Sequence, residues 1–539
     1  MKRALRSIIS VVLVLALCVS TLSVVAFAED PIVYLALGDS TAQGYLLPNY
    51  QDGCAGLQSP ENETYSYPYM FRDYLKKTEK REVTMYQYTI QGMRPNELYA
   101  ILDPNGAKDT ADAFCKQHIG WYKDAFAERM KKDNLTNAYT DAIVAADIIT
   151  YDLSMNNFGT YFTDRLQAFL GGNEKDKAKY ADYFEEKIAP QMEPSTAQLV
   201  LSLKNGLIGL LTDALESSDP TTAAMANELI EAVLYSYGSF ALYFDKTVEI
   251  IYGINPDAEL IVFGAYNAMH GLNAVIGENK IDFGAVMQLV YNAINSYITS
   301  ISPRCSTYKY VDLTGGVETY IDEIAGYVDE NGEPDLELFN ENEFTKNTRQ
   351  KLIRGIFEMM GPQLEPMTQN VVNKAYDPDY PGYTNDLDER SVEWIRNQTD
   401  PILVAFIKAA NCMDVDIVSL FEALGDEAKQ AELVGEALAD FDAASPAAKG
   451  LLQIALRFLF IRGFGTHPGA HGYEQKFDAL KLAHASTISA NGTSLLKTGA
   501  SIFTALLEFL RGLFRPSEGQ IGLFEGIGRA LKTIFGINW

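Results

Sequence analysis

The sequence predicts an α/β sandwich, a parallel β-sheet with helices packed on both faces. Three observations predict it. Short apolar runs of strand length, rich in Val, Ile, Tyr or Thr, recur along the chain. Most of them lack the apolar/polar alternation of a half-wet strand, the pattern of parallel strands buried on both sides. Helical stretches separate the runs, and that βαβ rhythm places ligands at the carboxyl ends of the strands.

The first run, Ile32–Leu37, ends in Gly38-Asp39-Ser40. Val83–Ile90, Asp147–Leu153, Glu259–Gly264 and Thr307–Leu313 follow, which makes five strands. Asn96–Leu102, Thr222–Ile251 and Phe283–Ile298 read as helices between them. Two regions exceed a minimal five-strand unit. Residues 159–220 are polar and helix-prone, with apolar periodicity over Ala197–Leu215. Residues 315–450 carry helical patterns at Thr345–Met360, Glu389–Ala410 and Asp426–Asp440, and a Tyr/Asp/Pro-rich loop at Ala375–Asp388 that reads as exposed. Both are expected to be helical insertions.

The ends are distinct from this body. Lys2, Arg3 and Arg6 precede an apolar run from Ile8 to Val25 that closes on Ala26-Phe27-Ala28. A basic start, an apolar middle and an A-x-A site read as a secretory signal peptide over 1–28, and so as an exported protein, secreted or at the cell surface. A retained membrane anchor is the other reading. The tail 491–539 has two apolar-rich helical stretches, Leu495–Phe514 and Gly522–Phe535, with five cations against three anions. Such helices either pack on the body or make peripheral contact with an anionic cell surface.

Across all 539 residues, 44 Lys+Arg oppose 71 Asp+Glu, a formal charge of −27. That balance argues against a nucleic-acid partner, whose phosphates are held by Lys and Arg. Cys18 lies in the leader, and Cys54, Cys115, Cys305 and Cys412 remain. In an oxidising compartment four cysteines permit two disulfides in three connectivities, with no CxxC motif among them. Cys54–Cys115 is the favoured pair, because both fall in loops on one face of the sheet; four free thiols are the alternative.

Four short segments carry chemistry. Ser40 follows the first strand, Gln91-Gly92 the second, and Ser154-Met155-Asn156-Asn157 the third; Thr466-His467-Pro468 and Gly472-Tyr473 come late in the chain. A serine hydroxyl is a weak nucleophile until an adjacent imidazole takes its proton. Attack on an ester carbonyl creates an oxyanion, and each preorganised donor aimed at it contributes roughly 2.7–4 kcal/mol. A glycine lets its N–H approach a ligand closely, and an asparagine amide can donate. Asp39 reads as a turn stabiliser, and Gly44 and Tyr45 as lining residues. No metal or cofactor is expected, since His118, His270, His471 and His484 lack metal-ligand spacing.

These segments resemble the sequence blocks of the SGNH hydrolases, the GDSL esterase/lipase family, over Pro31–Phe158, Thr222–Leu313 and Phe458–Ala490; Asn255–Glu259 is also similar to the family pattern. The resemblance implies a three-layer αβα, flavodoxin-like sandwich with a five-stranded parallel sheet, interrupted here by the helical insertions. It implies Ser40 as nucleophile, His467 as general base, and the Ser40 N–H, the Gly92 N–H and the Asn156 side chain as an oxyanion hole. The family usually has Asp three residues before the histidine; Phe464 stands there. The Phe464 backbone carbonyl is therefore expected to orient the histidine in a Ser40–His467 dyad, or else a carboxylate from an insertion does so. Asn157 also stands where the family has Asp. The implied function is a secreted serine esterase acting on glycan O-acetyl or small lipid esters. The alternative is a catalytically inactive SGNH-fold binding or cell-surface adhesion protein.

Overall fold

The computed structural model describes residues 30–45, 47 and 50, then 65–341 apart from short gaps, isolated positions between 400 and 416, and 467–493. The leader, the tail beyond residue 493, Cys54, Cys412, the 375–388 loop and Phe464 lie outside these residues. Among the described residues are eight strands: β1 (Ile32–Gly38), β2 (Val83–Thr89), β3 (Ile148–Asp152), β4 (Glu259–Phe263), β5 (Asn273–Ile276), β6 (Asn279–Asp282), β7 (Lys309–Val311) and β8 (Asp414–Asp416).

Five of them form one sheet in the order β2-β1-β3-β4-β7, with every neighbouring pair parallel. The five apolar runs are these strands, the last shortened to three residues. All of β3 is buried, as is β1 apart from the half-buried Val33, which accounts for the lack of alternation. The chain passes from β1 to β2 on one side and then crosses to β3 on the other. The crevice at the carboxyl ends of β1 and β3 is thus the topological switch point, where ligands bind in doubly wound sheets.

Helices cover both faces. Tyr67–Glu79 packs against Ala470–Ala485 on one. On the other, Pro95–Leu102 and Leu135–Ala145 pack against the 35-residue helix Pro220–Ile254. Proline in the first turn of both Tyr67–Glu79 and Pro95–Leu102 suits a position whose N–H has no intrahelical partner. Phe162–Gly171 and Pro194–Leu210, from the first insertion, lie on the long helix as an added helical layer. No helix among the described residues is long and apolar enough to cross a membrane.

Two expectations are corrected. The second insertion is not purely helical: β8 pairs parallel with β5, which forms an antiparallel hairpin with β6. The Cys54–Cys115 pairing also fails. Cys115 is a free buried thiol in the first turn of Ala113–Met130, its Sγ 3.7 Å from the Asn96 carbonyl. Helical periodicity turns it inward against the helix Pro95–Leu102, away from a surface loop.

Candidate active site

β1 delivers Ser40. At its end Asp39 turns the chain, and the Asp39 carboxylate accepts the Thr41 N–H at 2.8 Å, capping the one-turn helix Ser40–Gln43. The Gly44 and Tyr45 N–H groups close that turn on the Ser40 carbonyl at 3.1 and 3.0 Å. As the first residue of a helical turn, Ser40 has an N–H without an intrahelical acceptor.

His467 arrives from the far end of the chain. Ser40 Oγ and His467 Nε2 are 2.7 Å apart, across a separation of 427 residues. With the serine as donor, the imidazole carries its own hydrogen on Nδ1. The histidine is fixed by the segment 317–323: Thr319 bridges Pro468 in antiparallel fashion, Tyr320 N–H donates to the His467 carbonyl at 2.9 Å, and Gly469 N–H donates to the Glu318 carbonyl at 2.9 Å. Gly472 permits this approach, since a Cβ there would lie 2.1 Å from the Glu318 carbonyl oxygen. The Tyr45 ring lies 4.3 Å from the imidazole, centroid to centroid, and the Tyr473 hydroxyl holds the Tyr45 carbonyl at 2.8 Å.

Gly92 and Asn156 complete the arrangement. Gly92 follows β2 with φ at +72°, a backbone conformation that favours glycine. Its N–H has no hydrogen-bond partner among the described residues. Asn156, just past β3, donates one amide hydrogen to Asp39 Oδ2 at 2.6 Å and the other to the Met93 carbonyl at 3.1 Å. Its amide therefore bridges the neighbour of Ser40 to the neighbour of Gly92. Ser40, His467, Gly92 and Asn156 are brought to one place at the switch point.

No family model matches this chain, and no curated protein does. Among solved structures, it is similar to a lipase from a goat rumen metagenome (12% identity, TM-score 0.25, 59% of this chain and 96% of that one). It is also similar to an extracellular lipase from Streptomyces rimosus (12%, 0.27, 53% and 81%) and a phospholipase A1 from Streptomyces albidoflavus (12%, 0.24, 56% and 85%). Likenesses this low carry no argument about the chemistry of this chain.

Behind the serine lies a polar cluster that the sequence reading missed. Lys476, fully buried, donates to Asp152 Oδ2 at 2.6 Å and to Thr41 Oγ1 at 2.9 Å. Thr41 Oγ1 lies 3.0 Å from both Asp39 Oδ1 and Asp152 Oδ2. Burial, and then the nearby Asp152 charge, push the Asp39 carboxyl up to about 7, against the opposing pull of Lys476 and the Thr41 hydrogen bonds. A lysine in a helical pattern ordinarily reads as a solvated position, so nothing in the sequence flagged Lys476.

Beyond the 317–322 segment is a cavity of about 560 Å³, lined among others by Asn267, His270, Gln288, Glu318 and Gln475. Neither Ser40 nor His467 lines it. Among the described residues no group of His, Cys, Asp and Glu is arranged to hold a metal ion.

Proposed function

We propose that the chain is a secreted serine esterase that works through an acyl-enzyme, as the resemblance to SGNH hydrolases implies. The observation that carries the reading is the 2.7 Å contact between Ser40 Oγ and His467 Nε2 at the switch point of the sheet. His467 takes the hydroxyl proton as Ser40 attacks the ester carbonyl. The carbonyl oxygen gains the negative charge and is received by the N–H groups of Ser40 and Gly92. Asn156 contributes by exchanging its longer bond, to the Met93 carbonyl, for the oxyanion. His467 then protonates the departing alcohol, and water releases the acyl group with His467 again as base.

The substrate is a glycan O-acetyl ester or a small lipid ester. The amide and carboxylate lining of the neighbouring cavity supports a polyhydroxylated alcohol. Export is supported by the leader pattern over 1–28.

Fluorophosphonate labelling and hydrolysis of p-nitrophenyl esters test the reading, with wild type compared to Ser40→Ala and His467→Ala. Labelling at Ser40 and a loss of at least about 10³-fold in kcat in either variant are expected. A folded wild type that neither labels nor hydrolyses any chain length overturns it in favour of an inactive binding protein. Acetate release from acetylated glycans against longer-chain preference then decides the substrate.

A further inference from the structure

We propose that Lys476 is a positioning residue for the ester-hydrolysing site, holding Asp39 and thereby Asn156 through Thr41, and offsetting one of the two carboxylates packed behind Ser40. The inference rests on the esterase reading and adds a residue to it.

The hydrogen bonds converge on the Asp39 carboxylate, from Thr41 on one side and from Asn156 on the other. Lys476 is a donor only, so Thr41 Oγ1 accepts from it at 2.9 Å. The single Thr41 hydroxyl hydrogen is then left for a carboxylate, Asp39 or Asp152, each at 3.0 Å. Asp39 receives the Thr41 backbone N–H on Oδ1 and the Asn156 amide on Oδ2, so the orientation of that carboxylate sets the orientation of Asn156. With the Thr41 hydroxyl turned to Asp39, hydrogen bonds no longer than 3.0 Å link Lys476 Nζ to the Asn156 amide.

Charge gives the second half of the argument. An ionised Asp39 fixes Asn156 firmly, yet it also places a negative charge near the oxyanion that forms during attack. Lys476 supplies the only ammonium of the cluster among the described residues, and the rings of Tyr67, Phe263 and Tyr266 surround it at 5.1, 5.2 and 5.8 Å. The phenols of Tyr67, Tyr266 and Tyr473, which face the carboxylates, are pushed well up by burial and stay neutral. The ammonium offsets one of the two carboxylates, and its loss leaves both without a cation in the interior. A buried ion pair adds little net stability over apolar residues of the same volume. Stability alone therefore does not account for this pair, whereas its location under the nucleophile turn does.

The test compares wild type with Lys476→Met, and with Lys476→Met combined with Asp152→Asn, which removes both buried charges should the single variant fold poorly. Three readouts are taken: the kcat and KM split on p-nitrophenyl acetate, the pH profile of kcat/KM, and a crystal structure of the variant. Lys476→Met is expected to lower kcat roughly 10- to 100-fold with KM little changed. Losing the cation raises the Asp39 carboxyl further, so the part of the acid limb that Asp39 sets, beside that of the base His467, moves to higher pH. In the crystal the Asp39–Asn156 contact, 2.6 Å in wild type, lengthens or breaks. The double variant is expected to recover thermal stability but not kcat.

A variant with wild-type kcat and an unmoved acid limb overturns the proposal, as does an intact Asp39–Asn156 contact or a double variant that regains full kcat. A purely structural role for Lys476 would lower only the melting temperature. A wild type that takes no label and turns over no ester removes the esterase reading and the proposed role with it, and is recognised before any variant is made.

Discussion

The backbone N–H of Tyr320 donates to the carbonyl of His467 at 2.9 Å, so the candidate base is held by a segment almost 150 residues earlier in the sequence. Glu323, on the same segment, extends the hold: its Oε2 accepts the Ala470 N–H at 2.8 Å. The helix Ala470–Ala485 begins at Gly469, which offers no side-chain cap, and Glu323 serves as the capping acceptor from outside. Glu323→Ala is expected to cost about 1 kcal/mol of stability. Glu323→Gln keeps an acceptor oxygen and should cost less. Urea unfolding midpoints check both, and equal stability in the two variants would show that the cap is immaterial.

The loop carrying Gly92 has its own anchor. Two residues on, Arg94 is fully buried, with Nη2 2.6 Å from Glu97 Oε1 and 3.1 Å from Asp112 Oδ1, between the rings of Phe114 and Tyr161. Burial drives the Glu97 carboxyl up even against the attraction of Arg94. Replacing Arg94 by Met leaves two carboxylates in the core without their cation, a defect that costs about 3–5 kcal/mol. Denaturant unfolding of Arg94→Met measures it. A loss below about 1 kcal/mol would mean that the carboxyls neutralise without strain.

Cys115 gives a chemical prediction. Burial raises its thiol well above the ordinary range, so little thiolate is available to react. In native protein, iodoacetamide should modify Cys115 far more slowly than after unfolding, and a peptide map without reductant should recover it as a thiol. Recovery of a Cys54–Cys115 disulfide peptide would contradict the structure.

Much of this arrangement was legible because a residue just past a buried strand is placed as soon as the strand is found. Ser40 and Asn156 follow the runs that become β1 and β3 in the middle of the sheet, and Gly92 follows the run that becomes the edge strand β2. His467 was legible only through its short motif, and its pairing with Tyr320 was not, because one isolated bridge leaves no period in the sequence. Lys476 and Lys481 look alike in their helix, yet one is fully buried and the other partly exposed. What separates them is Asp152, 324 positions away at the end of β3. The β5–β6 hairpin stayed hidden because its four-residue strands include Asn, Lys and Asp and are too short to show a period.

His270 and Asp322 border the polar cavity and yield a prediction with a defined pH window. His270 Nε2 lies 3.2 Å from Asp322 Oδ1, and its Nδ1 lies 3.1 Å from the Asn267 carbonyl, so both ring nitrogens face acceptors and the imidazolium is favoured. The hydrogen bond to Asp322 outweighs partial burial and raises the histidine to about 9 from its ordinary 6.5. In the unfolded chain it titrates near the ordinary value. Below pH 6.5 both states are protonated and the full stabilisation is present. Between 6.5 and about 9 the folded state alone keeps the proton, so the contribution declines as pH rises and is gone above the upper value. The pair is half-exposed and screened by solvent, so the whole effect stays below about 1 kcal/mol. Melting temperatures of wild type and His270→Gln, measured across this range, should differ most at the acid end and converge at the alkaline end. A difference that is flat or grows with pH would show that His270 does not hold its proton against Asp322.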